Sequence, residues 1–295
     1  SNYGNARIKR IESERLEAEL NRKNIVVVAG FQGINKYDDI TTLGRGGSDT
    51  TAVAIAAALK ADACHIYTDV DGVYTADPRI VKDAKKLDEI TYDEMLELAT
   101  LGAQVLHNRS VEMAKKYNVN LEVRSSLERV EGTVVREAVK MEKMLIRGVA
   151  KDNNVTRVSI VGVPDTPGIA YKIFSLLSAK KINVDIILQS VGRDGTKDIV
   201  FTVAGDQMEE TKAALEASDI LKTAKVDFDN EVTKLSIVGA GMETHPGVAT
   251  KMFEALFEHD INIQMIATSE IKISVLIDKK DAERAVKAVH AAFFS

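Results

Sequence analysis

The sequence predicts two kinds of α/β structure in one chain. The first 130 residues favour a doubly wound sheet, and the rest favours two small ferredoxin-like βαββαβ units. In the first part, short β-branched strands alternate with helical segments. In the second, residues 158–191 and 235–269 repeat the order SIVG, Pro-Gly, helix, Ile-Asn and strand. Such a repeat indicates one supersecondary unit used twice.

Composition limits the classes of function. The chain has 295 residues, a net charge of -5 and a single cysteine, Cys64. An acidic chain offers no basic face for nucleic acid, and one cysteine excludes an intramolecular disulfide framework. No apolar stretch reaches the roughly 20 residues that span a bilayer, and the polar start is unlike a signal peptide. We expect a cytoplasmic protein with no nucleic-acid or membrane partner, and Cys64 as a buried, inert thiol.

Hydrophobic periodicity places the elements of the first part. We expect a partly amphipathic helix followed by a buried, parallel-type strand with the sequence IVVVA. Further strands and helices then alternate up to the third strand, at 121–123. A charged segment at 128–143 reads as a helix or a linker. The predicted elements before it are helices at 8–22, 51–61, 91–100 and 102–117, and strands at 25–29 and 64–68.

The second part begins after a boundary that we place near 130–145. We assign 1–130 to the first domain, 131–145 to a linker, 146–232 to the first repeat unit and 233–295 to the second. The first unit has a fourth strand at 221–228, whereas the second has none after its last helix, at 280–292. A lacking strand leaves an open sheet edge. We predict that residues 145–151 fill it, which makes the second unit discontinuous.

A glycine-rich loop is the first candidate site. Residues 41–51 read TTLGRGGSDTT, just before a predicted helix. Glycines permit close backbone approach, and the amides of a helix N-terminus attract an anion. The guanidinium of Arg45 can bind a carboxylate through two hydrogen bonds. These residues favour an anion site over a plain turn in which Ser48 or Asp49 only caps the helix.

A second loop is rich in aspartate. Residues 68–79 read TDVDGVYTADPR and follow a predicted strand, at the edge where open α/β sheets bind ligands. Asp69 and Asp71 could order a phosphate-bound metal or cap a turn, and Arg79 could reach a phosphate. A calcium loop is disfavoured because the closing Glu of an EF-hand is absent. An ordinary turn remains open.

Other candidates have weaker support. His65 and His107 have no Cys or His partner at metal-ligand spacing, so we interpret them as core or surface residues. His245 precedes the second Pro-Gly pair and is either a polar residue of a helix-entry loop or a ligand contact. Each Pro-Gly pair could simply start a helix, with proline near the first helical position.

Taken together, the motifs resemble the aspartokinase family over nearly the whole chain. The matching segments are GFQG at 30–33, TLGRGGSDTTA at 42–52, TDVDGVYTADPR at 68–79, LGAQVLHNRSVEMA at 101–114 and VRSS at 123–126. The repeat adds DTPG at 165–168, HPGV at 245–248 and TSEIKISVL at 268–276. The resemblance implies part of an amino-acid-kinase (carbamate-kinase-like) three-layer sandwich, followed by two ACT units.

The family uses ATP and Mg²⁺ to phosphorylate L-aspartate to 4-phospho-L-aspartate, the first step toward lysine, threonine and methionine. The resemblance implies that Asp49 lies at the reacting centre and organises the metal, with no dedicated metal cluster in the protein. It places substrate binding at Arg45, Gly46, Gly47 and Ser48. It places ATP binding at Thr68, Asp69, Tyr74, Asp77, Pro78 and Arg79.

For the ACT units, the resemblance implies feedback by lysine, threonine or both, and a homodimer formed through these units. The implied effector residues of the first unit are Asp165, Thr166, Gly168, Ile169, Ala170 and Gln189. Those of the second are Val248, Ala249, Asn262, Ile263, Ser269 and Glu270. Ala249 stands where relatives that respond to lysine and threonine together often have Thr.

Two departures from the family pattern affect the expected activity. The chain lacks the Lys-Phe-Gly-Gly motif with which the family opens, and Gln104 stands where many members have a nucleotide-site lysine. We therefore expect these 295 residues to be inactive alone. The alternative is a non-catalytic regulatory or amino-acid-sensing chain that partners a full-length kinase subunit.

Overall fold

The computed structural model describes residues 3–101, 105–137, 145–192, 194–221, 224–243 and 245–295. Gln104 and much of the expected linker lie outside the described residues. Within the described part, the strands form three four-stranded sheets and one two-stranded ribbon. None of the helices described there is long and apolar enough to cross a membrane.

The first part contains four helices and six strands among the described residues. Its helices are α1 (Glu14–Asn21), α2 (Gly47–Leu59), α3 (Tyr92–Thr100) and α4 (Asn108–Tyr117). Its strands are β1 (Gln32–Ile34), β2 (Ile40–Thr42), β3 (Cys64–Thr68), β4 (Glu89–Thr91), β5 (Leu121–Ser125) and β6 (Thr133–Arg136).

The two repeat units contain the remaining elements. Their strands are β7 (Gly148–Asp152), β8 (Val155–Pro164), β9 (Val184–Gln189), β10 (Thr196–Ala204), β11 (Lys225–Asp229), β12 (Val232–Val238), β13 (Met265–Thr268) and β14 (Lys272–Asp278). Their helices are α5 (Ile169–Ala179), α6 (Met208–Glu216), α7 (Val248–Glu258) and α8 (Ala282–Phe294). Short 3-10 turns lie at Gly205–Gln207, Asp219–Leu221, Ala240–Glu243 and Lys279–Asp281.

The sheet of the first part has the strand order β3-β5-β6-β4. The pairs β3–β5 and β4–β6 are parallel, whereas β5–β6 is antiparallel. Leu121 and Val123 of β5 are fully buried and pack with residues of α2, α3 and α4. Helices therefore cover a mixed α/β sheet, as the alternation of elements predicts. Burial raises the pKa of the Cys64 thiol, at the start of β3, to about 11, which agrees with an inert thiol.

Two predictions for the start of the chain are wrong. The helix expected at 8–22 forms only as α1, and the strand expected at 25–29 does not form. Ile25 and Val27 are 94% and 93% exposed. A strand is stabilised by backbone hydrogen bonds to a neighbour and by burial of its side chains. Residues 25–29 pair with no strand of the described chain, so their β-branched pattern alone does not produce one.

Two further boundaries differ from the predictions. The helix expected at 102–117 is described as α4, which begins at Asn108, because the Nδ1 of His107 accepts a hydrogen bond from the Arg109 amide as a cap. Residues 133–136 fall in the expected linker but form β6, in the sheet of the first part. The short run TVVR alternates buried and half-buried residues and fills the gap between β5 and β4.

The repeat units have the ferredoxin-like topology that the repeat predicts. The first unit has the order β11-β8-β10-β9, and the second has β13-β14-β12-β7. Strand β7 pairs antiparallel with β12, from Asp152 opposite Lys234 to Gly148 opposite Val238. It thus occupies, in the second unit, the position of β11 in the first. We expected residues 145–151 to fill this edge, and the strand that fills it is β7, Gly148–Asp152. The second unit is therefore discontinuous in sequence, as predicted.

Candidate functional site

The glycine-rich loop enters α2 through two glycines in the left-handed region. Gly44 and Gly46 have φ of 77° and 70°, which side chains other than glycine rarely adopt. A side chain at Gly46 would also overlap the ring of His107. Gly46 is the N-cap of α2 and makes no side-chain cap bond. The reading in which Ser48 or Asp49 only caps this helix is therefore wrong, and both lie within its first turn.

Threonine hydroxyls hold the start of α2. Thr50 and Thr51 donate to the carbonyl oxygens of Gly46 and Gly47 at 2.9 and 2.8 Å. The Thr51 hydroxyl also accepts from the Phe31 amide at 3.1 Å. These bonds engage the two carbonyl oxygens. The Gly47 amide donates to the carbonyl oxygen of Gly44 at 3.0 Å, and the neighbouring side chains of Arg45 and Ser48 are exposed. This arrangement suits a carboxylate or a phosphate.

Asp49 is the acidic group of this loop. Burial raises the pKa of the Asp49 carboxyl above its usual value, although His107 and the Ser48 hydroxyl oppose the shift. Asp49 is only half-buried. A partly desolvated carboxylate interacts strongly with a nearby cation, because water screens it less.

Arg109 supports the loop, and the sequence analysis missed it. Its guanidinium donates to the carbonyl oxygen of Leu43 at 2.6 Å and to that of Ala6 at 3.0 Å. The bond to Leu43 fixes the backbone just before Gly44. His107, read from the sequence only as a core or surface residue, closes the loop from the other side. The signal was present in the segment LHNRS, which matches the family, but nothing in its spacing indicates these contacts.

The aspartate-rich loop at 68–79, here called the nucleotide loop after the role that the family resemblance implies for it, follows β3 as expected. Asp71 accepts from the Tyr74 hydroxyl at 2.9 Å and lies 3.3 Å from the Lys86 ammonium. Burial alone would raise the pKa of Asp71, but these two hydrogen bonds outweigh it and the pKa falls. Asp71 therefore stabilises the turn of the loop. Thr68 donates to Asp69 at 3.0 Å, and Asp69 is exposed.

At the end of the nucleotide loop, the guanidinium of Arg79 binds the carboxylate of Asp77 through two hydrogen bonds. Arg79 donates to the two oxygens of Asp77 at 3.0 and 2.8 Å. These hydrogen bonds lower the pKa of the Asp77 carboxyl, so it is ionised at neutral pH. Arg79 and Pro78 are exposed. A phosphate that binds Arg79 has to share the guanidinium with Asp77 or displace it.

No hydrogen bond or ion pair among the described residues joins the glycine-rich loop to the nucleotide loop. The nucleotide loop instead contacts the second repeat unit. Thr75, which is 0% exposed, lies 2.9 Å from the Nε2 of His290 in α8. The carbonyl oxygen of Thr75 accepts from the Val149 amide of β7 at 2.8 Å. No motif or spacing in the sequence indicates this contact.

The two Pro-Gly loops start α5 and α7 in the same way. In each, glycine is the N-cap in the left-handed region, with φ of 88° at Gly168 and 93° at Gly247. Proline therefore lies before the cap, and its expected place near the first helical position is wrong. The first helical residues, Ile169 and Val248, are buried in the cores of their units.

Of the other predicted effector residues of the first unit, Asp165, Thr166, Gly168 and Ala170 lie at the start of α5, whereas Gln189 is the last residue of β9. The exposed ones are Asp165, Thr166 and Gln189, and Ala170 packs partly against the core. Asp165 forms an ion pair with Lys197 of β10 at 3.0 Å. Lys197 was not among the predicted residues.

In the second unit, Asn262, Ser269 and Glu270 are exposed, whereas Ala249 and Ile263 pack partly against the core. A cleft of about 370 Å³ opens beside the Pro-Gly loop of this unit. Its lining residues come from the start of β7, from α7 and from the end of α8: Leu145, Ile146, Pro246, Gly247, Val248, Lys251, Phe293 and Phe294.

Comparisons with known proteins agree with this architecture. The model of the amino acid kinase family matches residues 2–125, and an ACT domain model matches 158–218 and 235–293. The chain is 53% identical over 293 residues to the aspartokinase of Bacillus sp. (strain MGA3), covering 99% of this chain and 71% of the relative. The chain belongs to the aspartokinase family.

Other aspartokinases show the same extent of likeness. That of Helicobacter pylori (strain J99) is 52% identical over 298 residues, covering 99% of this chain and 73% of the relative. Among solved structures, E. coli aspartokinase III in complex with aspartate and ADP (R-state) matches with a TM-score of 0.79 and 30% identity. The match covers 95% of this chain and 63% of that one. The chain thus spans less than two thirds of the length of that solved aspartokinase.

A second solved state of the same E. coli enzyme, in complex with lysine and aspartate (T-state), matches with a TM-score of 0.75 and 30% identity. It covers 95% of this chain and 62% of that one. These matches confirm the predicted fold class of an amino-acid-kinase domain followed by tandem ACT domains.

Proposed function

We propose that this chain serves the ATP-dependent phosphorylation of the β-carboxylate of L-aspartate, giving 4-phospho-L-aspartate. The observation that supports it most is the start of α2. There the exposed Arg45 and Ser48 flank the N-terminus of the helix, and Asp49 lies in the first helical turn. This arrangement binds a carboxylate and leaves a half-buried acid nearby. Family membership and the E. coli aspartokinase III complex with aspartate and ADP add the substrate class.

Each residue has a role set by its surroundings. Arg45 binds a carboxylate of aspartate through two hydrogen bonds of its guanidinium, and the amide of Ser48 contributes a further donor. Gly46 and Gly47 let the substrate approach the backbone of the loop closely. Arg109 and His107 hold the loop so that these donors keep their direction. Phosphoryl transfer depends mainly on positioning and on neutralising charge, and both tasks suit a rigid loop of amides and guanidinium groups.

The nucleotide loop supplies the ATP contacts in this proposal. Thr68, Asp69 and Tyr74 lie along it, followed by Asp77, Pro78 and Arg79. Asp71 and Asp77 are engaged by Lys86 and Arg79, which leaves Asp69 as the exposed carboxylate of the loop.

Magnesium is the metal that such a reaction requires. No cluster of three or more His, Cys, Asp or Glu side chains suited to a metal occurs among the residues that the structure describes. ATP-bound Mg²⁺ takes most ligands from phosphate and water and needs only one or two carboxylates. Asp69 and Asp49 fit that demand. The metal would neutralise charge on the phosphates, while Asp69 and Asp49 orient it.

The ACT units serve feedback in this proposal, with lysine, threonine or both as effectors. E. coli aspartokinase III is known in complex with lysine. The exposed groups around α5 and the exposed Asn262, Ser269 and Glu270 of the second unit supply donors and acceptors for an amino acid. We also propose that two copies associate through exposed apolar residues of the first unit, such as Val161, Ile187 and Val191.

The activity is tested in the full-length gene product with a coupled assay of ATP turnover dependent on aspartate. We expect Arg45→Ala to raise the KM for aspartate by about tenfold or more, because a charge-assisted carboxylate contact is lost. Arg284→Ala, at an exposed arginine of α8, is the matched control and should change neither constant. An unchanged KM in the Arg45 variant would overturn the assignment. No aspartate-dependent turnover, with amino-acid binding retained, would favour the regulatory-chain alternative.

A further inference from the structure

The second repeat unit holds the nucleotide loop at Thr75, a buried residue whose three polar groups are all engaged. The Thr75 amide donates to the carbonyl oxygen of Lys85 at 2.9 Å, and the Thr75 carbonyl oxygen accepts from the Val149 amide of β7 at 2.8 Å. The hydroxyl accepts from the Lys85 amide and lies 2.9 Å from the Nε2 of His290, in α8. Two of these four contacts come from the second unit, one from its sheet and one from its last helix.

Thr75 stands between two residues that we propose to bind ATP. Tyr74 precedes it, and Asp77 follows two positions later. Residues 73–75 run antiparallel to residues 85–87, with Tyr74 opposite Lys86. Because Thr75 is buried and Tyr74 is only half-buried, the anchoring of Thr75 fixes the direction in which Tyr74 leaves the backbone. Thr75 therefore supports the proposed ATP contacts from behind.

His290 is the side chain that the second unit contributes to this support. It is 4% exposed, and its ring stacks on Phe294 of the same helix with 4.6 Å between the ring centroids. The carbonyl oxygen of Phe294 accepts from the Nζ of Lys85 at 3.3 Å. The end of α8 thus contacts both sides of the antiparallel segment, at Thr75 and at Lys85. A buried and stacked ring keeps the direction of its Nε2.

The glycine-rich loop has a different support. Its backbone and its hydroxyl groups contact Arg109 and Phe31, and the ring of His107 packs on it. Among the described residues, none of its hydrogen bonds reaches α8. A change at His290 is therefore expected to affect the ATP site and to leave the aspartate site as it is.

We propose that His290 is a positioning residue of the ATP site, which acts through Thr75 to hold the nucleotide loop where Tyr74 and Asp77 meet the nucleotide. The inference rests on the proposed function and deepens it. It adds a side chain of the second ACT unit to the support of the catalytic site.

Steady-state kinetics of the full-length gene product, with ATP and aspartate varied in turn, test the inference. His290→Leu removes the ring nitrogens. We expect it to raise the KM for ATP about tenfold, because the loop loses a buried hydrogen bond, and to leave the KM for aspartate unchanged. His290→Gln keeps a polar group that can reach Thr75, and we expect it to restore the KM for ATP to within about twofold of the wild type. His259→Leu, at an exposed histidine of α7, is the matched control and should change neither KM.

A double variant tests whether His290 acts through Thr75. Thr75→Val should raise the KM for ATP at least as much as His290→Leu, because it also loses the bond to the Lys85 amide. Adding His290→Leu to Thr75→Val should raise the KM no further, since the effects of two residues in one network are not additive. Effects that multiply in the double variant would overturn the inference.

The pH profile separates a positioning role from a merely structural one. Burial lowers the pKa of His290 below its ordinary 6.5, while Asp83 opposes the shift and Lys85 adds to it. A proton on this buried ring places a second cation beside Lys85 and disfavours the contact with Thr75. We expect the KM for ATP of the wild type, divided by that of His290→Gln, to rise as the pH falls below 6.5. The ratio cancels the protonation of ATP itself, and a ratio independent of pH would overturn the inference.

Two further measurements keep the outcomes distinct. Circular dichroism melts show whether each variant is folded at the assay temperature, and isothermal titration gives the affinity for ATP without turnover. If His290→Leu does not fold, the pH profile of the wild type and His290→Gln decides. An unchanged KM for ATP in folded His290→Leu, or an equal rise of both KM values, would overturn the inference while the proposed function stands.

The wild type itself tests the proposed function. If it binds ATP but shows no aspartate-dependent turnover, the proposed function is wrong, and the inference then depends on whether His290→Leu weakens ATP binding. A wild type that does not bind ATP would overturn both.

Discussion

The two ACT units share one topology but differ in how they meet the kinase part. The core of the first unit consists of its own residues. The core of the second unit includes Ala76, from the end of the nucleotide loop, and Val81, just after that loop. Ala150 and Val238 of the second unit in turn pack in the core of the kinase part. The second unit is thus built into the kinase part, whereas the first is attached to the second.

Polar contacts show the same difference. Glu94 of α3, 2% exposed, accepts from the Ala240 amide at 3.1 Å and lies 3.5 Å from the guanidinium of Arg147. The first unit is joined to the second by a small apolar cluster and by Lys234, which forms an ion pair with Asp185. In the proposed feedback, a signal that follows these contacts from the first unit reaches the nucleotide loop through the second unit.

The largest expected effect comes from the buried charge at the kinase junction. Glu94→Ala removes the ion-pair partner of the buried Arg147 guanidinium and the acceptor of the Ala240 amide, together with the acceptor that caps α3 at the Thr91 amide. Removing one partner of a buried pair costs about 3–5 kcal/mol. We expect this loss of unfolding free energy in urea denaturation. Glu97→Ala, which breaks the more exposed pair with Lys272, is the control and should cost about 1 kcal/mol or less. Equal losses would show that the Glu94 contact does not stabilise the junction.

Thr75 gives the next largest effect. Thr75→Val keeps the shape of the side chain but removes its hydrogen bonds to the His290 ring and to the Lys85 amide, and it leaves a buried ring nitrogen without this partner. Such a loss costs about 1–3 kcal/mol. Thr100→Val, at an exposed threonine of α3, should be close to neutral in the same denaturation measurement. If both variants unfold at the same urea concentration, the Thr75–His290 contact contributes no stability.

The same junction should respond to pH. Burial lowers the pKa of His290 below its ordinary 6.5, despite the opposing field of Asp83, and Lys85 lowers it further. Because the unfolded chain then takes up the proton first, stability should fall as pH drops below about 6.5 and level off below the folded pKa. His290→Gln should flatten this part of the stability curve. A variant with the same pH dependence as the wild type would show that His290 is not the titrating group.

The sequence predicted the fold where local pattern and long-range pairing agree. Strands β3 and β5 form where the sequence predicts strands, and they pair with each other in parallel. The internal sequence repeat predicts both ACT units. Residues 25–29 carry an equally strong pattern but have no neighbouring strand in the described chain, so the prediction was wrong. Periodicity records the preference of a segment, not the partner that satisfies its backbone.

The candidate site shows the same limit. Motif matching found the glycine-rich and nucleotide loops, because their glycines and aspartates are contiguous in sequence. The supporting contacts join residues that are distant in sequence. Thr75 and His290 are 215 positions apart, and Arg109 and Leu43 are 66 positions apart. Side chains of that kind look like ordinary polar residues until the fold brings them together.

The smallest effect is expected where the two ACT units meet. Lys234 lies in a buried position of β12 and reaches Asp185 of the first unit and Asp152 of β7. Lys234→Met keeps the apolar stem, and Asp185 is exposed enough to be hydrated, so we expect a loss of about 1 kcal/mol of unfolding free energy. Lys115→Met, which breaks the exposed pair with Asp93, should cost about 0.5 kcal/mol or less. If Lys234→Met costs no more than this control, the contact between the units depends on the apolar cluster and on the hydrogen bond from Arg157 to Gln264, and not on Lys234. The charge between the units would then not serve to transmit an effector signal.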